Sequence, residues 1–145
     1  MITFIESFLL TETLMLIYNT FRDVKTKEID SRFNYLAIGA ILMFIAYFQP
    51  SFWIIIVSII VSSLTVFVFR WKGFFASGDL EAISWVVFTL GLFDYWKMIV
   101  FLIMLTLFYA FGLVMIKITK QGNRLPGYPM ILGSFLITLL TFYSF

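Results

Sequence analysis

Neither cysteine nor histidine occurs in this 145-residue chain. Without cysteine there are no disulfides, no thiolate metal sites and no thiol nucleophile. Without histidine, Ser-His catalysis and the usual zinc and haem ligands drop out as well. Charge is thin too, at 12% of residues, against ~25% in an average soluble domain. Any proton-transfer chemistry therefore falls to carboxylates, Lys, Tyr or bound water. The candidate acids are Glu6, Glu12, Asp23, Glu28, Asp30, Asp79, Glu81 and Asp94. No metal and no cofactor are expected, and a net charge of +2 gives no footprint for nucleic acid.

What fills the chain instead is apolar: 62% of residues are hydrophobic and 21% aromatic, more than one soluble core can hide. Several runs approach the ~20 residues that cross a bilayer. The expected fold is all-α, one polytopic membrane domain over residues 1–145 with six transmembrane helices. The spans are expected near 3–21, 34–49, 51–69, 79–93, 98–116 and from 126 to the C-terminus. The first carries Glu6 and Glu12 and lacks a basic start, so it reads as a span and not as a signal peptide. Spans two and three, separated only by Gln49-Pro50, are expected to form a tight antiparallel hairpin, and Asp94 to Lys97 a polar turn. Loops 22–33, 70–78 and 117–125 hold every Lys and Arg except Lys97. That asymmetry puts those loops in the cytoplasm and both termini outside it. Trp53, Trp71 and Trp96 fall near span ends, as interfacial anchors do.

Two acids then stand out. Asp23 ends the first span and Asp79 begins the fourth, after the positive pair Arg70 and Lys72 and the small run Ala76-Ser77-Gly78. Both fall at one depth, on the cytoplasmic side. A pair of carboxyls a few Å apart shares a proton, one acting as acid and the other as base. Such a pair can hydrolyse a peptide bond without His, Cys or metal. Asp79 has a plainer reading as the N-cap of the fourth span. Asp23 is harder to explain that way, since a carboxylate at a helix C-terminus opposes the macrodipole unless Arg22 offsets it. Ser77 and Gly78 would let an extended substrate approach Asp79, and Pro126 and Pro129 leave backbone carbonyls for it to dock on. Glu12 lies mid-span, eleven residues before Asp23, close to three turns at ~3.6 residues each, so the two share a face directed into the bundle. Glu28 and Asp30 fit a solvated loop.

Three motifs, taken in order, resemble a known family. Asp23-Val-Lys-Thr-Lys-Glu-Ile-Asp30 is similar to the D-x-[KR]-x-[KR]-E-I element of the type IV prepilin and preflagellin (archaellin) peptidases. Ser77-Gly78-Asp79 resembles their GxGD motif, and Leu125 to Gly133 the proline-containing start of their last helix. Ala76 stands at the first glycine of GxGD, Glu81 at a lysine common in bacterial members, and Asp30-Ser31 at a common Pro-Asn. The resemblance implies an intramembrane aspartyl protease, related in mechanism to presenilin and signal peptide peptidase. Its catalytic pair would be Asp23 and Asp79, and its substrates the basic leaders of pilin-like or archaellin-like precursors, cut at the cytoplasmic face of the cell membrane. The cysteine-bearing insertion of many bacterial members is missing, so the minimal archaeal form is the nearer likeness, with no support for N-methyltransferase activity. On that reading Glu28, Asp30 and Glu81 attract the leader by charge. Three rivals remain at this level: a non-catalytic paralogue, an ion or solute transport component using Glu12 and Asp23, and a structural subunit.

Overall fold

The computed structural model describes residues 4–26, 31–72, 75–119 and 127–143. They form six helices and, among the described residues, no strand: α1 Phe4–Thr26, α2 Ser31–Phe48, α3 Phe52–Lys72, α4 Ser77–Phe93, α5 Tyr95–Thr119 and α6 Gly127–Tyr143. Two of them, α3 over Phe52–Trp71 and α5 over Tyr95–Met115, are long and apolar enough to cross a membrane. Glu28, Asp30 and Pro126 lie outside the described residues.

The connections follow from local chemistry. At the end of α2, Gln49 takes a positive φ of 45° and its N–H returns to the Ile45 carbonyl at 2.9 Å. Pro50 follows and cannot continue the helix. The Ser51 hydroxyl then accepts the Ile54 N–H at 3.4 Å, as an N-cap does for the start of α3. Between α4 and α5 the expected four-residue turn shrinks to one residue. Asp94 closes α4 by donating its N–H to the Leu90 carbonyl at 2.8 Å, and its carboxylate caps α5 by accepting the Trp96 N–H at 2.8 Å.

Helix α4 is the axis of the assembly and packs on α2, α3, α5 and α6. Its buried side chains run all round the helix, from Leu80 and Ile83 through Val86 and Val87 to Leu90, as expected of a helix enclosed by others. Small residues bring α3 close to it. The Ser62 hydroxyl donates to the Ser84 carbonyl at 2.9 Å, and a Cβ built on Gly91 would stand 2.7 Å from Ser58 Oγ. Small side chains of this kind allow helix axes to approach. The expected hairpin of spans two and three does not form: among the described residues α2 and α3 each pack on α4 and not on one another. Sequence adjacency brings their ends together at Gln49 to Ser51, but beyond that point each packs on α4.

The helices alternate in direction, as the side-chain contacts show. At one end, Phe8 of α1, Phe44 of α2 and Phe93 of α4 cluster, with Phe44 and Phe93 centroids 4.6 Å apart. At the same end Lys97 of α5 donates to the Thr141 carbonyl of α6 at 2.8 Å, which satisfies a helix C-terminus with a cation. At the other end, Asp23, Asn34, Asp79 and Tyr128 meet. Trp53, Trp71 and Trp96 are all exposed at helix ends, whereas Trp85 is buried.

Candidate functional site

The polar face of α1 is set by the helical period. Glu12, Leu16, Asn19 and Asp23 recur at intervals of four, three and four residues, which line up on one side of a helix. All four are buried, so the expectation that Glu12 and Asp23 share an inward face holds. Glu12 is met by α4: the Thr89 hydroxyl donates to its Oε1 at 2.8 Å.

Asp23 reaches a different helix. Its Oδ2 accepts the backbone N–H of Tyr128 at 3.3 Å, across 105 residues of sequence. Tyr128 is the second residue of α6, where backbone donors have no intrahelical partner. Pro129 follows and has no N–H to offer, so the donor at Tyr128 is one of few this turn can present. The α6 N-terminus also carries partial positive charge, which favours a carboxylate. This solves the problem posed by an acid in the last turn of α1: the compensating dipole comes from another helix.

Asp79 meets α6 one residue earlier. A Cβ added at Gly127 would clash with the Asp79 carboxyl, standing closest to Cγ and Oδ2 and 2.6 Å from Oδ1. The carboxyl therefore lies directly against the Gly127 backbone, an approach open only to glycine. Asp79 is not the N-cap of α4. That position belongs to Ala76, and Asp79 is the third helical residue, its Oδ2 accepting the Ala76 N–H at 3.1 Å. This is the return half of a capping box; alanine has no side-chain oxygen to supply the other half. The small run is also more regular than expected. Ser77 and Gly78 form the first turn of α4 and not an open loop, with Ser77 exposed.

Asp23 and Asp79, 56 positions apart in sequence, thus converge on consecutive residues of α6, whose Cα atoms are ~3.8 Å apart. A second set of contacts surrounds them. The Tyr128 hydroxyl donates to Asn34 Oδ1 at 3.1 Å, and Trp85 Nε1 donates to the same oxygen at 3.1 Å. Two donors on one side fix the amide so that its nitrogen faces Glu81, donating to Oε2 at 2.9 Å. Asn34 is buried and Glu81 exposed, so the network runs from the interior to the surface. Asn34, Trp85, Gly127 and Tyr128 have no catalytic look in the sequence. The available signal was a glycine and a tyrosine held between two prolines at a helix start. Pro129 sits inside the first turn of α6, where its missing N–H leaves a carbonyl of the preceding turn without its helical donor. Among the described residues no group of three or more acids could hold a metal ion.

Beside this site lies a groove of about 1000 Å³ between α2 and α3, floored by α4. Its walls are apolar, with Ile38, Ile41, Ile45, Ile59, Val66 and Phe88 among them, and Asn34, Arg70, Ser77 and Glu81 line the end near the carboxyls. Comparison with protein-family models, curated proteins and solved structures finds no match to this chain.

Proposed function

We propose that this chain is a six-span membrane peptidase of the aspartyl type, which removes the short basic leader of pilin-like or archaellin-like precursors at the cytoplasmic face. The observation that carries the reading is the meeting of Asp23 and Asp79 on Gly127 and Tyr128 at the start of α6. The membrane part of the reading draws on outward apolar residues such as Met43, Leu64 and Phe111, exposed by 70%, 57% and 64%. The basic loops 22–33, 70–78 and 117–125 join the helix ends that carry the carboxyls, which supports a cytoplasmic side for that end by the positive-inside rule.

Two carboxyls at one site share a proton, because like charges a few Å apart do not both ionise. The N-termini of α4 and α6 converge there and favour the single negative charge that remains. The ionised carboxylate takes a proton from water as the water oxygen bonds to the scissile carbonyl carbon. The protonated partner gives its proton to the carbonyl oxygen. When the resulting gem-diol collapses, the C–N bond breaks, the amine leaves with the proton first taken from water, and a gem-diol hydroxyl returns its proton to the carboxylate that had protonated the carbonyl oxygen. Backbone N–H groups of Tyr128 and Ala76 hold the two carboxyls in orientation. Glu81, with Glu28 and Asp30, attracts the basic leader.

The transport alternative rests on Glu12, a buried mid-helix carboxyl whose Oε2 has no hydrogen-bond partner among the described residues. Leu16, fully buried, lies on the α1 face between Glu12 and Asp23, which counts against a continuous polar path. The deciding experiment is co-expression with a pilin-like precursor. Asp23→Asn and Asp79→Asn should each abolish cleavage while the protein still inserts and folds. Processing that persists in both variants would sink the peptidase reading.

A further inference from the structure

We propose that the groove between α2 and α3 seats one apolar helix of the precursor, about three turns long, with its basic-flanked end at Glu81 and Asn34. The inference rests on the peptidase reading for the identity of its occupant. The geometry is independent of it. Helices α2 and α3 both pack on α4 and leave each other untouched, so the wall between them is missing a member. Along α2 the lining runs from Asn34 to Ile45, ~16 Å at ~1.5 Å per residue. Ile38, Leu42 and Ile59 line the groove and are exposed, so a helix can enter from the side without unfolding the bundle.

The two ends of the groove differ in a way that orients the occupant. Toward Ile45 and Ile55 it is apolar, whereas Asn34, Arg70, Ser77 and Glu81 crowd the other end. Glu81 is two residues beyond Asp79 on α4, and its carboxylate is held by Asn34 at 2.9 Å. An anion fixed in place selects a cationic side chain at one position of the incoming chain. A helix seated with its charged flank there delivers the adjoining peptide to the Asp23 and Asp79 carboxyls.

The absence of cysteine makes the test clean. Single cysteines are placed at Leu42 and Ile59 in the groove, and at Leu64 on the outward side of α3, in the full chain carrying Asp79→Asn and embedded in phospholipid nanodiscs. Each is labelled with a benzophenone maleimide and irradiated with a precursor made of a basic leader and an apolar helix, or with the leader-junction peptide alone. Crosslinks from 42 and 59 but not 64, and only to the precursor with its helix, are expected. In the chain with Asp79 intact, a bulky maleimide on Ile59→Cys should raise KM for the full precursor at least tenfold, and by more than the same adduct on Leu64→Cys. Adducts to lipid alone, equal crosslinking from 64, or an unaltered KM would overturn the groove assignment. Cleavage by the unmodified protein without groove crosslinks removes the docking site and leaves the peptidase. Crosslinks from both groove positions with no cleavage do the reverse.

Discussion

The Gly127 backbone lies so close to the Asp79 carboxyl that no side chain can be added at that position without displacing the acid. The contact joins α6 to α4 and sets Asp79 beside the Tyr128 N–H that holds Asp23. One missing Cβ is thus what allows two distant carboxyls to share a site.

The first prediction concerns that contact. Gly127→Ala inserts a methyl where the carboxyl stands, an overpacking that typically costs ~1–3 kcal/mol. Cleavage should fall by about 100-fold, the scale of a ~1 Å misplacement of a reacting group, and the unfolding midpoint in detergent should drop. Adding Asp79→Ala to the same chain removes the clash, so the double variant should recover stability and stay inactive. Full activity in Gly127→Ala would contradict the arrangement.

Asn34 is the second. Its amide oxygen receives both Tyr128 and Trp85, and its nitrogen holds Glu81. It acts as a positioning residue, touching neither carboxyl of the proposed pair. Asn34→Leu strands two buried donors, at ~1–3 kcal/mol each, and lowers stability. Asn34→Asp keeps the acceptor for Tyr128 and Trp85 but replaces the neutral amide donor to Glu81 with a second carboxyl that competes for one proton. It should fold and keep kcat for a neutral junction peptide while raising KM for a basic leader. A KM that is the same for basic and neutral peptides would argue for a purely structural role.

Glu12 supplies the third, which separates catalysis from conduction. Glu12→Gln retains an oxygen for the Thr89 hydroxyl, so precursor cleavage and stability should be unchanged. Glu12→Leu removes the acceptor for a buried hydroxyl and should cost ~1–3 kcal/mol. Proton flux into liposomes that is present in the unaltered chain and lost in Glu12→Gln would favour the transport reading instead.

Much of this was legible in the residues. Apolar runs broken by Pro50, by Asp94 and by basic loops marked six helices, and the structure moves their ends by a few residues. The 3.6-residue period alone put Glu12 and Asp23 on one face of α1. Absent cysteine and histidine narrowed the candidate proton-transfer chemistry to carboxylates, Lys, Tyr or bound water before any geometry was known. These are local or compositional properties, and a chain carries them without reference to its fold.

Partner choice is another matter. Spans joined by two residues looked paired, yet α2 and α3 stand apart because α4, apolar on every side, draws both. Nor does any local pattern announce that Tyr128 will donate to Asp23 over 105 residues, or that Asn34 will gather Tyr128, Trp85 and Glu81. Those contacts depend on how closely helix axes approach and on which backbone donors a helix start leaves unused. The sequence by itself determined six helices and a short list of acids. The tertiary structure decided which two acids come to the start of α6, because only packing brings the glycine there against the carboxyl of α4.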